Sequence, residues 1–163
     1  MKVFLGIGGN LGDRKKNIED AIFFISEKIS IPLKISSNYL SEPWGFQHKK
    51  YFLNAVVVIE TDLYPDKILE KISDIETIMK RIREKNSYEG RTIDIDILFV
   101  DNKIINSENL QIPHPKLHER LFVLTPLNEI FPDFIHPVFN KKISELLDLC
   151  EDKSNIRRIQ NKI

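Results

Sequence analysis

Two aspartates stand two residues apart in the stretch Gly90-Arg91-Thr92-Ile93-Asp94-Ile95-Asp96-Ile97-Leu98. Apolar residues alternate with polar ones here, the pattern of a half-buried strand. A period of two puts Asp94 and Asp96 on one face, roughly 7 Å apart along the strand. Strands disfavour aspartate, so two like charges side by side call for a reason. On the residues alone two readings stand: a solvated sheet face, or a cation site. Mg²⁺ commonly combines a few carboxylates with substrate phosphates, and two metal ions can share such a pair.

A basic run leads into this strand. Between residues 80 and 91 five basic side chains face two glutamates. Arginine forks match phosphate oxygens and stay charged at any relevant pH. Arg81, Arg83 and Arg91 beside a carboxylate pair therefore suggest a nucleoside triphosphate site. Taken singly, the same residues also read as a solvated basic helix end.

Asn54 interrupts the apolar run Phe52-Leu53-Asn54-Ala55-Val56-Val57-Val58-Ile59, on the same face as Phe52. A buried amide must be hydrogen-bonded, either to a loop backbone or to the edge of a flat polar ligand. Phe52, Trp44 and Phe122 could wall such a ligand. His114 lies between Pro113 and Pro115, which makes it a positioned side chain suited to donating to phosphate or acting as a general acid. His48, His118 and His136 show no metal-ligand spacing. Gly6-x-Gly8-Gly9-Asn10 lacks the spacing of a dinucleotide fingerprint and the Lys-Ser/Thr of a P-loop, and reads as a tight strand-to-helix turn.

The elements that must hold these residues follow from periodicity. Residues 2–7 read as a strand, and 13–29 as a helix with Ile18, Ile22, Ile25 and Ile29 on one face and Asp13 as its cap. Residues 34–40 read as a strand, 41–50 as a loop, and 52–61 as a β-branched strand. A second helix opens at Pro65 and carries Ile68, Ile72, Ile75, Met79 and Ile82. After a polar loop over 84–90 comes the aspartate strand, 92–100. Asp101-Asn102 suits a hairpin turn into 103–105. Prolines fragment the remainder, with short helices near 124–130 and 143–149, and a terminus over 155–163 that frays. Strand, helix, strand, strand, helix, strand is the ferredoxin-like α/β sandwich: a mainly antiparallel sheet with both helices on one face. Ile93, Ile95 and Ile97 then face the helices, and the aspartate face is a site or lies under the Pro-rich segment.

Composition narrows the class. The 163 residues suit a single domain, and 42% are hydrophobic. Lys plus Arg and Asp plus Glu are 24 each, so a general electrostatic grip on nucleic acid or an acidic membrane is not expected. Cys150 is the one cysteine, which excludes an internal disulfide. No apolar run spans a bilayer and no secretory pattern opens the chain, so the expectation is a cytoplasmic protein.

Taken together, these stretches resemble the 6-hydroxymethyl-7,8-dihydropterin pyrophosphokinase family of folate biosynthesis. The likeness rests on Gly8-Gly9-Asn10-Leu11-Gly12, Phe52-Leu53-Asn54-Ala55, Arg91-Thr92-Ile93-Asp94-Ile95-Asp96-Ile97-Leu98, Pro113-His114-Pro115 and Arg120-x-Phe122. It implies the ferredoxin-like fold, a monomer, and transfer of pyrophosphate from ATP to the pterin hydroxymethyl oxygen with release of AMP. By the same resemblance Asp94 and Asp96 hold two Mg²⁺ ions. Glu76, Arg81, Arg83, Tyr88, Arg91, Ile97, His114 and Arg120 serve ATP. Trp44, Gly45, Phe52, Asn54, Asp94 and Phe122 serve the pterin, and Arg81, Arg83, Arg91, Asp94 and Asp96 carry catalysis. Three positions depart from the family pattern: Glu89-Gly90 replaces a Gly-Pro pair, Ser73 a glutamine, and Gln111 a small hydroxyl residue. Two rivals share features of the sequence. Another Mg²⁺-dependent phosphoryl or nucleotidyl transferase could use the aspartate strand. RNA-recognition domains share the element order, but they display aromatics and a basic field where this strand displays aspartates.

Overall fold

Strand β1 (Lys2–Gly9) is the axis of the molecule in this computed structural model, which describes residues 1–79 and 92–160. It pairs antiparallel with β4 (Phe52–Glu60) on one side and with β5 (Asp94–Val100) on the other. Beyond β4 lie β2 (Pro32–Ile35) and β3 (Asn38–Ser41), which pair with successive parts of that strand. The last strand, β8 (Ile156–Ile159), pairs with β3, so the sheet runs β5-β1-β4-β3-β8 with β2 also on β4. This is the ferredoxin-like arrangement that the element order predicts.

Helices α1 (Arg14–Lys28) and α2 (Pro65–Ile78) cover one face. Asp13 caps α1 by accepting the Lys16 N–H at 3.1 Å, and Pro65 opens α2, where its missing N–H costs nothing. Ile18, Ala21 and Ile25 of α1 and Ile68, Ile72 and Ile75 of α2 meet Val3, Leu5, Ile7, Ile93, Ile95 and Ile97 in one apolar core. The three isoleucines beside the aspartates thus face the helices, as alternation requires.

The opposite face is covered in part. Helices α3 (Leu121–Ile130) and α4 (Ile143–Leu149) pack a second core on Phe4, Val56, Val58, Leu98 and Phe99. Phe4 meets Phe99 edge-on at 5.6 Å and Phe131 at 5.2 Å. A bulge makes this possible. Register slips between Phe4 and Leu5, which face Phe99 and Ile97, so Leu98 is the extra residue. Leu98 and Phe99 consequently enter the same core, and Val100 returns to the first.

Four details differ from the sequence expectation. The strand expected over 34–40 is two strands, broken where Ser36 Oγ accepts the Val56 N–H at 2.9 Å. The turn at Asp101 is real (φ 45°), but it does not fold back on β5. Instead β6 (Ile105–Asn106) pairs with β7 (Gln111–Ile112). Helix α3 starts at Leu121 rather than Leu124, with Pro126 inside it. The segment expected to fray supplies β8.

Candidate active site

Between the second core and the open end of the sheet lies a cavity of about 300 Å³. Gly6 and Gly8 of β1 form part of its floor. Register places Gly6 opposite Asp96 and Val56, and Gly8 opposite Asp94 and Asn54. A β-carbon added at Gly8 would stand 2.6 Å from Asn54 Oδ1, so this glycine is what lets the asparagine lie across β1. Asn54 is buried; its Nδ2 donates to Ser41 Oγ at 2.8 Å and to the Tyr39 carbonyl at 3.3 Å. Both partners come from β3, which turns the amide nitrogen to that strand and the oxygen toward Gly8.

The walls are aromatic. Phe52 stands on β4, Phe122 on the first turn of α3, and Trp44, Gly45 and Phe46 on the loop before β4. Phe46 meets Phe52 edge-on at 5.9 Å. The Arg120 guanidinium lies 4.7 Å from the Trp44 ring and 5.6 Å from the Phe122 ring, so it joins the two walls through their π-faces. Gly45 has φ +78°, which a side chain would strain. The loop is anchored at its far end. Buried Asn10 donates to the Lys50 carbonyl at 3.1 Å and lies 3.1 Å from His48 Nδ1. Arg14 donates to the Tyr51 carbonyl at 2.7 Å. In the sequence Asn10 reads as part of a turn, and His48 carries no signal of a role. No local signal could reveal these contacts, because they join residues about forty positions apart.

Asp94 and Asp96 reach the cavity from β5, half-buried and on one face. His114 Nε2 stands 4.0 Å from Asp96 Oδ2. Its Nδ1 accepts the Lys116 N–H at 3.2 Å, which assigns the ring proton to Nε2, toward the aspartate. Burial, and then the positive charge of Arg120, push the His114 pKa down to about 4. At neutral pH it is an uncharged N–H donor. Its backbone N–H also donates to the Leu98 carbonyl at 3.0 Å, on the outer edge of β5.

Glu76 reaches the same edge from α2, where its Oε1 accepts the Ile95 N–H at 2.9 Å. Ile97 does not join the cavity by its side chain, which lies in the core under α1 and α2. Only its backbone can serve a ligand. Arg81, Arg83, Tyr88 and Arg91 lie outside the described residues. Among the described residues no group of three His, Cys, Asp or Glu side chains converges as a metal cluster. A pair of strand carboxylates open to a cavity still fits Mg²⁺, which takes few protein ligands and completes its shell with water and phosphate oxygens.

Residues 4–132 match the family described as 7,8-dihydro-6-hydroxymethylpterin-pyrophosphokinase. The chain belongs to this family. Among its relatives, the 2-amino-4-hydroxy-6-hydroxymethyldihydropteridine pyrophosphokinase of Aquifex aeolicus is 41% identical over 143 residues, covering 88% of each chain. The folic acid synthesis protein fol1 of Pneumocystis carinii is also 41% identical, over 92% of this chain but 20% of its own. Among solved structures, a Plasmodium falciparum HPPK-DHPS with pteroate superposes with a TM-score of 0.73 at 18% identity. That match covers 91% of this chain and 44% of the solved one. At such identity the pyrophosphokinase fold is what the superposition shows. This chain spans less than half the length of that solved chain, whereas it spans most of the Aquifex aeolicus relative.

Proposed function

We propose that this chain transfers pyrophosphate from ATP to the hydroxymethyl oxygen of 6-hydroxymethyl-7,8-dihydropterin and releases AMP. One observation carries the reading: a single cavity joins an aromatic-walled slot containing Asn54 to the carboxylates of Asp94 and Asp96. A flat pterin fits between Phe52 and Phe122, with Asn54 and the backbone near Trp44-Gly45 at its edge. Asp94 and Asp96 would hold Mg²⁺, two ions in this reading, beside the triphosphate. Bound there, Mg²⁺ would neutralise phosphate charge and lower the pKa of the attacking hydroxyl.

The chain's own groups orient the reactants. His114, neutral and carrying its proton on Nε2, donates toward the phosphate side of Asp96. Arg120 adds positive charge between the two subsites. Arg81, Arg83 and Arg91 are assigned to the triphosphate on sequence alone. The alternation that turns the Ile95 N–H outward to Glu76 also turns the Ile97 backbone outward. That edge is the place for a nucleobase, with Glu76 and the Ile97 backbone beside it. In the reaction the pterin hydroxyl oxygen forms a bond to the β-phosphorus and gives up its proton to solvent, and the bond from that phosphorus to the α–β bridging oxygen breaks, releasing AMP. Alignment of these atoms supplies much of the rate.

The test is product analysis. With Mg²⁺, ATP and the hydroxymethyl-dihydropterin, AMP and the pterin diphosphate accumulate together; ADP as the pterin-dependent product would refute attack at the β-phosphorus. We further assign one domain over residues 1–163, a monomer, and a cytoplasmic location. No described helix is long and apolar enough to cross a membrane. Light scattering on the purified chain checks the monomer.

A further inference from the structure

The family match ends at residue 132, yet three bonds tie a later segment to the cavity. Asp152 Oδ2 accepts the Leu121 N–H at 3.0 Å. Leu121 opens α3 between Arg120 and Phe122, where first-turn N–H groups have no partner within the helix. Asp152 is itself fixed, because its Oδ1 accepts from Ser154 N at 2.9 Å and Ser154 Oγ at 2.6 Å. Asn155 then grips the other wall. Its N–H donates to Glu42 Oε2 at 3.2 Å, and its carbonyl accepts the Glu42 N–H at 3.3 Å. Glu42 stands two residues before Trp44. Finally β8 pairs Ile156 with Ser41, and β3 is the strand whose Ser41 Oγ and Tyr39 carbonyl hold Asn54.

Asn54, Trp44 and Phe122 come from three separate elements: Trp44 and Phe122 lie within two residues of a group bonded to this segment, and Asn54 is hydrogen-bonded to β3, the strand that pairs with it. Asp94 and Asp96 are on β5, at the opposite edge of the sheet. We propose that residues 152–159 are a strap that sets the spacing of the pterin walls, with Asp152 and Asn155 as positioning residues for the pterin subsite. This rests on the assignment of that subsite given above. The strap touches no reacting atom and acts through Leu121, Glu42 and β3.

The experiment is steady-state kinetics of full-length Asp152→Ala, Ser154→Ala and Asp152→Asn, each with a thermal melt. Asp152→Ala loses the helix-end bond and raises the pterin KM about tenfold, with kcat and the ATP KM within about threefold of wild type. Ser154→Ala keeps that bond but loosens its acceptor, giving a rise of about threefold. Asp152→Asn keeps one side-chain oxygen for Leu121 and recovers most of the loss. A lower melting temperature with an unchanged pterin KM, in either alanine variant, would reduce the strap to a sheet edge and overturn the proposal. Equal rises in the pterin and ATP KM would overturn its confinement to one subsite. A wild-type chain that forms no pterin-dependent AMP would overturn the assigned function, and the strap's role with it.

Discussion

The two faces of this sheet are built from alternate residues of the same strands, yet they differ in kind. Under α1 and α2 the face is apolar from Val3 to Ile7 and from Ile93 to Ile97. On the other side only half is sealed, by Phe4, Phe99 and the residues of α3 and α4. The remaining half presents Gly6, Gly8, Asn54, Asp94 and Asp96 to the cavity. Adjacent residues such as Ile95 and Asp96 therefore answer to different demands. One complete core, plus half of another, keeps the strands in place so that the last half can hold charges and empty volume. The bulge at Leu98 marks the border between the two halves.

Substitutions on opposite faces of β5 should break this contrast most visibly. Asp96→Asn should lower kcat/KM by on the order of 10³ while leaving the ligand-free protein at least as stable, since one of two like charges is removed. Mg²⁺ with an ATP analogue should raise the melting temperature of wild type by mass action, and far less in this variant. Ile95→Ala, one residue away, should do the reverse: a loss of about 2–5 kcal/mol in denaturant unfolding, with turnover per folded molecule retained. An active Asp96→Asn enzyme would mean that the polar half-face is only a solvated surface.

Gly8→Ala probes the floor between the faces. The new methyl meets Asn54 Oδ1 at 2.6 Å, so either the amide shifts or β1 does. Pterin binding, followed by titration calorimetry, should weaken by about 1–3 kcal/mol.

The sealed half has its own test in pH. His136 is buried, its Nδ1 accepts the N–H groups of Val138 and Phe139 at 3.2 Å each, and its ring lies 5.4 Å from Phe99. Burial, then the nearby His118, push its pKa down from 6.5 to about 4. The unfolded chain takes up this proton first as pH falls. The stability held by the neutral ring is therefore complete above pH 6.5 and is lost as pH drops toward 4. At pH 5 the loss is about 1–2 kcal/mol. His136→Asn keeps an acceptor and removes the proton, so the gap between its urea midpoints at pH 7 and pH 5 should be smaller than in wild type. The smallest effect belongs to the outer surface of α1. Lys16 and Asp20 pair at 2.8 Å with both side chains well exposed; Lys16→Ala should change stability by less than about 0.5 kcal/mol.

Much of the helix-covered face was legible in the sequence, because periods of 3.6 and 2 directly record which residues are buried. Ile18, Ile25, Ile68, Ile72, Ile75 and the isoleucines of β5 all lie where their spacing puts them. Trp44, Gly45, Phe52, Asn54, Asp94, Asp96, Arg120 and Phe122, chosen as site residues on motif and type, line one cavity. What escaped notice depends on distant partners. The first turn of α3, from Leu121 to Val123, has no signal of its own after the proline-broken stretch before it, so the helix read from the sequence opens only at Leu124. Ile156-Arg157-Arg158-Ile159 is too short and too charged to read as a strand until β3 is there to receive it. Asn10 looked like a turn residue because its partners, His48 and Lys50, come from a loop with no periodicity of its own.

The outer margin of β5 has one more consequence, for the behaviour of many copies together. A terminal strand with bare amides and carbonyls is a template on which another molecule can add a strand. Here the Ile95 N–H is taken by Glu76 and the Leu98 carbonyl by the backbone of His114. The opposite margin, β8, carries Arg157 and Arg158 at its centre, both exposed, and like charges of that kind oppose docking of a second margin. A chain with 42% hydrophobic residues and a formal charge of zero has little net repulsion to keep copies apart in a crowded solution. Edge-to-edge association is opposed at these two borders by the covered Ile95 N–H and Leu98 carbonyl and by the exposed arginines.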